Sequence, residues 1–283
     1  MKPIYKWGLA LSGGGARGFA HLGALQAMDE RGIQPEIISG TSAGSLVGVF
    51  YADGYTPQEI FALFQDIKFR NIITTTLPQD GFFKTTGIYS ILEKHLHAKR
   101  FEDLKIPLRV VASDIEEGKP CIFSTGDIIP AVIASCSVPI VFTPMEIDGH
   151  HYVDGGMFVN FPVSVIRKDC WRVVGIDVSP VITMKYDRSF KYIIERTMNY
   201  MVGANTVDEI KRCDYMIGSK DISQYSLFDF KYAQEIYRKG YDMTVKYLDD
   251  NNARIEKDMK AKPKSKSFLG HSVKKIITGL SKK

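Results

Sequence analysis

The sequence predicts an α/β protein, with helices covering both faces of a mainly parallel central sheet. Short apolar runs alternate with stretches of helical period, glycine-rich turns twice separate a run from the helix after it, and no internal repeat or second-domain linker breaks the alternation. Residues 5–11 (YKWGLAL) are the first buried strand, and Gly13 to Gly18 form a glycine-rich turn. Phe19, Leu22, Leu25 and Met28 then recur at helical spacing until Gly32 stops the helix. Residues 36–39 (EIIS) make a short strand, and Ser45–Ala52 reads as the next helix. Thr56-Pro57 opens a helix to about Phe69, with proline at its first helical position. An irregular stretch, 71–86, leads to a helix from Gly87 to His97.

The second half repeats the pattern. Leu108–Ser113 and Pro120–Ser124 are strands, and Asp127–Cys136 is a helix stopped before Pro139. Asp148-Gly149, between Thr143–Ile147 and His150–Val153, is a two-residue hairpin signal. Arg172–Val178 is a further buried strand, and residues 188–213 and 229–250 are long helical patterns. Only the segment KAKPKSKS reads as unstructured, which predicts a folded unit over 1–250 and a basic tail over 251–283.

Composition narrows the class. Hydrophobic residues at 45% and charged ones at 24% are those of an ordinary globular chain. Cys121, Cys136, Cys170 and Cys213 are scattered, with no Cys-x-x-Cys and no histidine cluster at ligand spacing. This argues against a disulfide framework or a zinc site and for a reducing compartment. The N-terminus lacks the apolar core of a signal peptide, and no run approaches the roughly 20 apolar residues of a membrane span. The expected location is cytoplasmic, with peripheral membrane association as an addition. The net charge of +5 hides an asymmetry: residues 259–283 carry eight lysines and no acidic residue, leaving residues 1–258 at −3. Such a tail points to an anionic partner.

Gly40-Thr41-Ser42-Ala43-Gly44 follows a strand and precedes a helix, the context of a nucleophile elbow. A serine on a strained strand-to-helix turn brings the residues two positions either side close to it, so both must be glycine. Its hydroxyl also meets the positive end of the helix dipole. Gly13, Gly14, Gly15, Ala16, Arg17 and Gly18 fit GxGxxG, which suits either a dinucleotide pyrophosphate or an oxyanion. A dinucleotide site wants an acidic residue closing the second strand, which here ends in Ser39-Gly40, so the elbow serine decides for the oxyanion hole. Arg17 is assigned to ordering the turn rather than to chemistry. Asp154-Gly155-Gly156 supplies a carboxylate at a strand end. Of the histidines, only His271 in the tail follows Asp154, so the chain order of an α/β-hydrolase triad is missing; His21, His150 and His151 read as structural.

These three segments, in this order, resemble the defining motifs of the patatin-like phospholipase family. Ala134-Ser135 with Pro139, and Asn160-Phe161-Pro162, are similar to two further family segments, and the resemblance runs from about Trp7 to about Tyr247. It implies a three-layer α/β/α fold and hydrolysis of lipid acyl esters by a Ser42–Asp154 dyad without histidine, metal or cofactor. An exposed aspartate, with pKa ~3.9, is a poor base toward a serine hydroxyl, so the dyad requires a desolvated Asp154. The expected partner is a lipid or acyl-ester substrate. An acyltransferase or thioesterase would use the same dyad; a nicotinamide oxidoreductase is the more distant alternative, and nucleic acid is not expected.

Two softer signals concern lipid access. Phe61, Phe64, Phe69, Phe82 and Phe83 stand in an apolar stretch, the first two at helical spacing suited to core packing. In the tail, Leu269, Val273, Ile276, Ile277 and Leu280 fall on one helical face beside lysines, the layout of an interfacial helix on anionic lipid.

Overall fold

The computed structural model describes residues 3–65, 74–75 and 83–261. In its first half, β1 (Tyr5–Leu11), α1 (Phe19–Glu30), β2 (Ile37–Thr41), α2 (Ala43–Asp53) and α3 (Pro57–Phe64) alternate as the sequence predicts. A small hairpin, β3 (Thr74–Thr75) with β4 (Phe83–Lys84), precedes α4 (Thr86–His95) and β5 (Leu108–Asp114). Then come β6 (Lys119–Phe123), α5 (Ile128–Cys136), β7 (Met145–Ile147), β8 (His150–Asp154), α6 (Val163–Arg167) and β9 (Cys170–Asp177). The chain continues through α7 (Phe190–Ile210), β10 (Tyr215–Gly218), α8 (Ala233–Asp250) and α9 (Asn252–Lys260). No helix among the described residues is long and apolar enough to cross a membrane.

The sheet has eight strands, ordered β10-β9-β1-β2-β5 in parallel, with β6, β8 and β7 joined antiparallel beyond. Successive side chains of a strand point to opposite faces, and the core divides accordingly. Leu9, Leu11 and Ile38 enter the larger core with α1, α2 and α8, while Ala10 and Ile37 join Phe161, Val163 and Ile166 on the other face. Helices on both faces make the three layers. The Asp148-Gly149 turn forms the expected hairpin, with both residues at positive φ. Helix α3 starts with a capping box between Thr56 and Glu59 and Pro57 in the first turn. Phe61 and Phe64 pack on the larger core, against Phe19 and Phe50. Phe69 and Phe82, the side chain of Phe83 and residues 262–283 lie outside the described residues.

Helix α9 is tied to the body by Asp258, which pairs with Arg172 at 2.6 Å and accepts from the Tyr215 hydroxyl at 2.7 Å. The Lys6 ammonium also donates to the Met259 carbonyl.

Candidate active site

Strand register brings the serine and the aspartate together. β6 occupies one edge of β5 over Val110–Asp114, so β2 and β8 must share the other. On that edge Thr41 lies opposite Val111 and Asp154 opposite Ala112. Parallel β2 and antiparallel β8 therefore meet head to head, with Ser42 the next residue of one and Asp154 the last of the other. The glycine turn leaves neighbouring β1 at the same edge, where ligands of open α/β sheets bind.

Ser42 sits on the turn with φ 53° and ψ −123°, and α2 begins at the next residue. A non-glycine residue in this region of backbone space is strained and persists only where its surroundings enforce it. Ser135 helps to enforce it: its Oγ accepts from the Ser42 amide at 2.8 Å and donates to the Val111 carbonyl at 2.6 Å. A Cβ on Gly40 would stand 2.6 Å from the Gly44 carbonyl oxygen, and one on Gly44 only 2.3 Å from that of Leu11. Both obstacles are backbone and cannot swing aside. Gly44→Ala is thus expected to remove ester hydrolysis and to lower stability by ~1–3 kcal/mol, as overpacking does. Paired ester assay and urea unfolding check it; a variant with full activity would contradict the close packing.

The six residues of the glycine turn have different duties. The Gly13 amide donates to the Asn160 carbonyl (3.0 Å), the Ala16 amide to that of Leu227 (2.8 Å) and the Arg17 amide to that of Gly14 (3.1 Å). The amides of Gly14 and Gly15 have no hydrogen-bond partner among the described residues, and both residues line the cleft that holds Ser42 and Asp154. Gly18 packs against Ala43. Arg17 is buried away from the serine and braces a later loop: Nε donates to the Tyr225 carbonyl (2.8 Å) and Nη2 to that of Ser223 (3.0 Å). Burial lowers its pKa to about 10, so it stays a cation at neutral pH.

Ser42 and Asp154 are 8% and 6% exposed. Asp154 accepts a hydrogen bond at 2.7 Å from the Gly156 amide, and its carboxylate faces the Ser42 hydroxyl. Desolvation raises its pKa to about 6, and the nearby Ser42 hydroxyl and the Gly156 amide limit the rise. The histidines are held elsewhere. His21 is fully buried, its Nε2 2.8 Å from the Ser12 carbonyl, and burial lowers its pKa to about 4; neutral, it donates that bond. His150 faces Asp114 at 3.1 Å and His151 faces Glu116 at 2.7 Å. Asp114, Glu116 and His150 are the described group whose donor atoms lie close enough, within 4.8 Å, to share a metal ion. Asp114 lies opposite Tyr152, two residues before Asp154 along β8, and His150 lies four residues before it.

Of the other cleft residues, Asn160 belongs to the Asn160-Phe161-Pro162 segment already singled out, and those of α7 follow from the fold. Asn160 supplies the carbonyl that holds Gly13, yet its buried Nδ2 has no acceptor among the described residues and it lines the cleft. Asn205 on α7 accepts from the Asn160 amide (2.9 Å) and donates to the Gly156 carbonyl (2.9 Å), fixing α7 over the turn after Asp154. Met198, Met201 and Val202 of α7, with Val138 and Phe228, make an apolar stretch of the wall beside Asn199 and Ser179. No local pattern marks these residues, because they come from a long helix and two loops.

The scaffold is a three-layer α/β sheet with an elbow serine and a buried aspartate in one cleft. A family model for the patatin-like phospholipases matches residues 9–166, and the chain belongs to that family. Lysophospholipase NTE1 of Candida glabrata is 30% identical over 273 residues, covering 85% of this chain but 16% of that protein. NTE1 of Saccharomyces cerevisiae is 28% identical over 267 residues, covering 83% and 16%. This chain thus spans a small part of those relatives. Among solved structures, VipD from Legionella pneumophila aligns with a TM-score of 0.58 at 18% identity, over 88% of this chain and 67% of that one, a likeness of fold.

Proposed function

We propose that the protein hydrolyses acyl esters of lipids, of the phospholipid or lysophospholipid kind, through a Ser42–Asp154 dyad. The observation that carries this reading is a strained elbow serine that strand register sets beside a desolvated carboxylate. Ser42 Oγ attacks the ester carbonyl while its proton passes to Asp154. The amides of Gly14 and Gly15 receive the oxyanion, where one donor is worth about 10²–10³ in kcat. Asp154 then returns the proton to the departing alcohol, and water, deprotonated by the same carboxylate, releases the fatty acid and regenerates Ser42. The apolar wall from α7 suits an acyl chain, and the names of the NTE1 relatives agree with a lysophospholipid substrate. A fluorophosphonate probe tests the nucleophile: intact mass should show one adduct on the wild type and none on Ser42→Ala. An equal adduct on both would remove the proposal.

The dyad predicts a pH profile. The base must be ionised in the free enzyme, so kcat/KM should fall as pH drops through about 6 and level off above it. A profile flat down to pH ~4 would mean that a carboxylate of ordinary pKa, or no titrating base, serves the serine.

The lysine-rich tail belongs to the same proposal as an electrostatic contact with anionic membrane. Each lysine near a charged surface contributes up to about 1 kcal/mol, falling off within a Debye length. Truncation after Ala261 spares the Asp258 and Met259 contacts of α9. It should weaken binding to anionic vesicles most at low salt and leave turnover of a soluble short-chain ester unchanged. Vesicle sedimentation with and without the tail checks this; equal binding would make the tail a solvated appendage.

A further inference from the structure

Helix α7 is apolar on two sides. Its inner side contributes Met198, Met201 and Val202 to the cleft, and Ile194 and Met198 pack against Val138, Val141 and Phe142. Its outer side carries Phe190, Ile193, Tyr200 and Val207, all exposed, with Phe190 at 70%. Thr197 and Ala204 stand between them, so this face carries no charge along its centre. An apolar helix face is ordinarily turned to the core, and this one has no cover among the described residues.

The apolar surface continues around the mouth of the cleft. Ile140, 59% exposed, projects from the loop whose Val138, Val141 and Phe142 pack against α7. Its φ is 72°, a genuine outlier for a β-branched residue, so the fold holds an apolar side chain in solvent against the preference of its backbone. Exposed Met157 lies in the turn after Asp154, which also packs against α7. Lys185 and Arg188, just before α7, have no ion-pair partner among the described residues, and Arg196 lies over the Tyr200 ring at 4.3 Å. Apolar side chains, a tyrosine with a polar tip and free cations at the edge make the composition of an interfacial helix on anionic lipid.

We propose that the outer face of α7, with Ile140 and Met157, docks on a lipid bilayer and sets the cleft mouth against the acyl esters it holds. This rests on the reading that the substrate is a lipid. α7 is then the partition between bilayer and cleft. The contact differs from that of the tail, because insertion of apolar side chains resists salt whereas lysine attraction is screened.

The test uses the full-length chain carrying Ser42→Ala, so that binding is read without hydrolysis. Phe190→Gln, Ile193→Gln and Val207→Gln together should weaken partition to phosphatidylcholine–phosphatidylglycerol vesicles at high salt by at least ~10-fold. With Ser42 restored, the same triple variant should hydrolyse a soluble short-chain ester as the wild type does. Phe190→Trp alone supplies a second reading: the added indole emission should shift to the blue on vesicles and be quenched by brominated lipid. Equal partition of triple variant and parent, or an indole that vesicles leave unchanged, would overturn the docking. A concentration-dependent dimer that the triple variant dissolves would overturn it too, by assigning the face to a second copy of this chain. Loss of esterase activity in the wild type with vesicle binding intact would remove the proposed reaction and leave the docking standing.

Discussion

Ser42→Ala should cut hydrolysis of a p-nitrophenyl ester by about 10⁶-fold in kcat, the scale on which a catalytic unit fails when it loses its nucleophile. No neighbouring hydroxyl is placed to substitute. Ser45 Oγ donates to the Ser42 carbonyl, Ser135 Oγ to the Val111 carbonyl, and Ser12 Oγ is held by the Val178 amide. The fold should survive, because alanine carries the same backbone burden as serine at φ 53° and leaves the Ser135 bond to its amide in place. Circular dichroism and urea unfolding would establish that, and residual activity within ten-fold of wild type in a folded variant would end the assignment.

Asp154→Asn should be nearly as damaging, since an amide cannot take the serine proton. Its effect on stability has the opposite sign. The folded pKa of about 6 lies above the ordinary value of 3.8, so the folded state binds this proton more tightly than the unfolded chain. Stability from this group is therefore complete below pH ~4 and is lost as pH rises through about 6, on the order of 2–3 kcal/mol at ~1.4 kcal/mol per unit. A neutral asparagine avoids that loss, so the inactive variant should melt no lower than wild type at neutral pH. His150→Gln and His151→Gln should keep their activity, because those rings face Asp114 and Glu116. His21→Gln should also keep appreciable activity, with some loss of stability from the buried bond to Ser12. A folded His21→Gln as inactive as Asp154→Asn would replace the dyad by a triad.

Legibility from sequence varied with how local the cause was. The run YKWGLAL, the Asp148-Gly149 turn and the Thr56-Pro57 start are short-range patterns, and each became the expected element. Helix α2 begins at Ala43, two residues earlier than the periodic stretch from Ser45, because the elbow turns directly into the helix. Short α6, β10 and α9 carried no readable signal. α9 buries little more than Ile255 and Asp258, and Asp258 is held by Arg172 from β9, a partner 86 residues away. An ion pair across that separation leaves no period in the chain.

The residues proposed for the chemistry stand out in the sequence for a steric reason. A serine turn that admits no Cβ at Gly40 or Gly44, and a turn with bare amides at Gly14 and Gly15, can be written only in glycine. Such constraints appear as spacing. The approach of Ser42 to Asp154 was expected from the family resemblance and from no spacing in the chain. It depends on β2 and β8 sharing one edge of β5, a register set by strand pairing across more than a hundred residues. The basicity of Asp154 depends on burial, and burial belongs to the assembled layers. The division of the glycine turn into spent and open amides came from Asn160 and Leu227, and the doubly apolar character of α7 came from what packs on one side of it and not on the other. Local sterics write themselves into sequence, whereas proton affinity, register and exposure arise only when distant segments exclude water from one another.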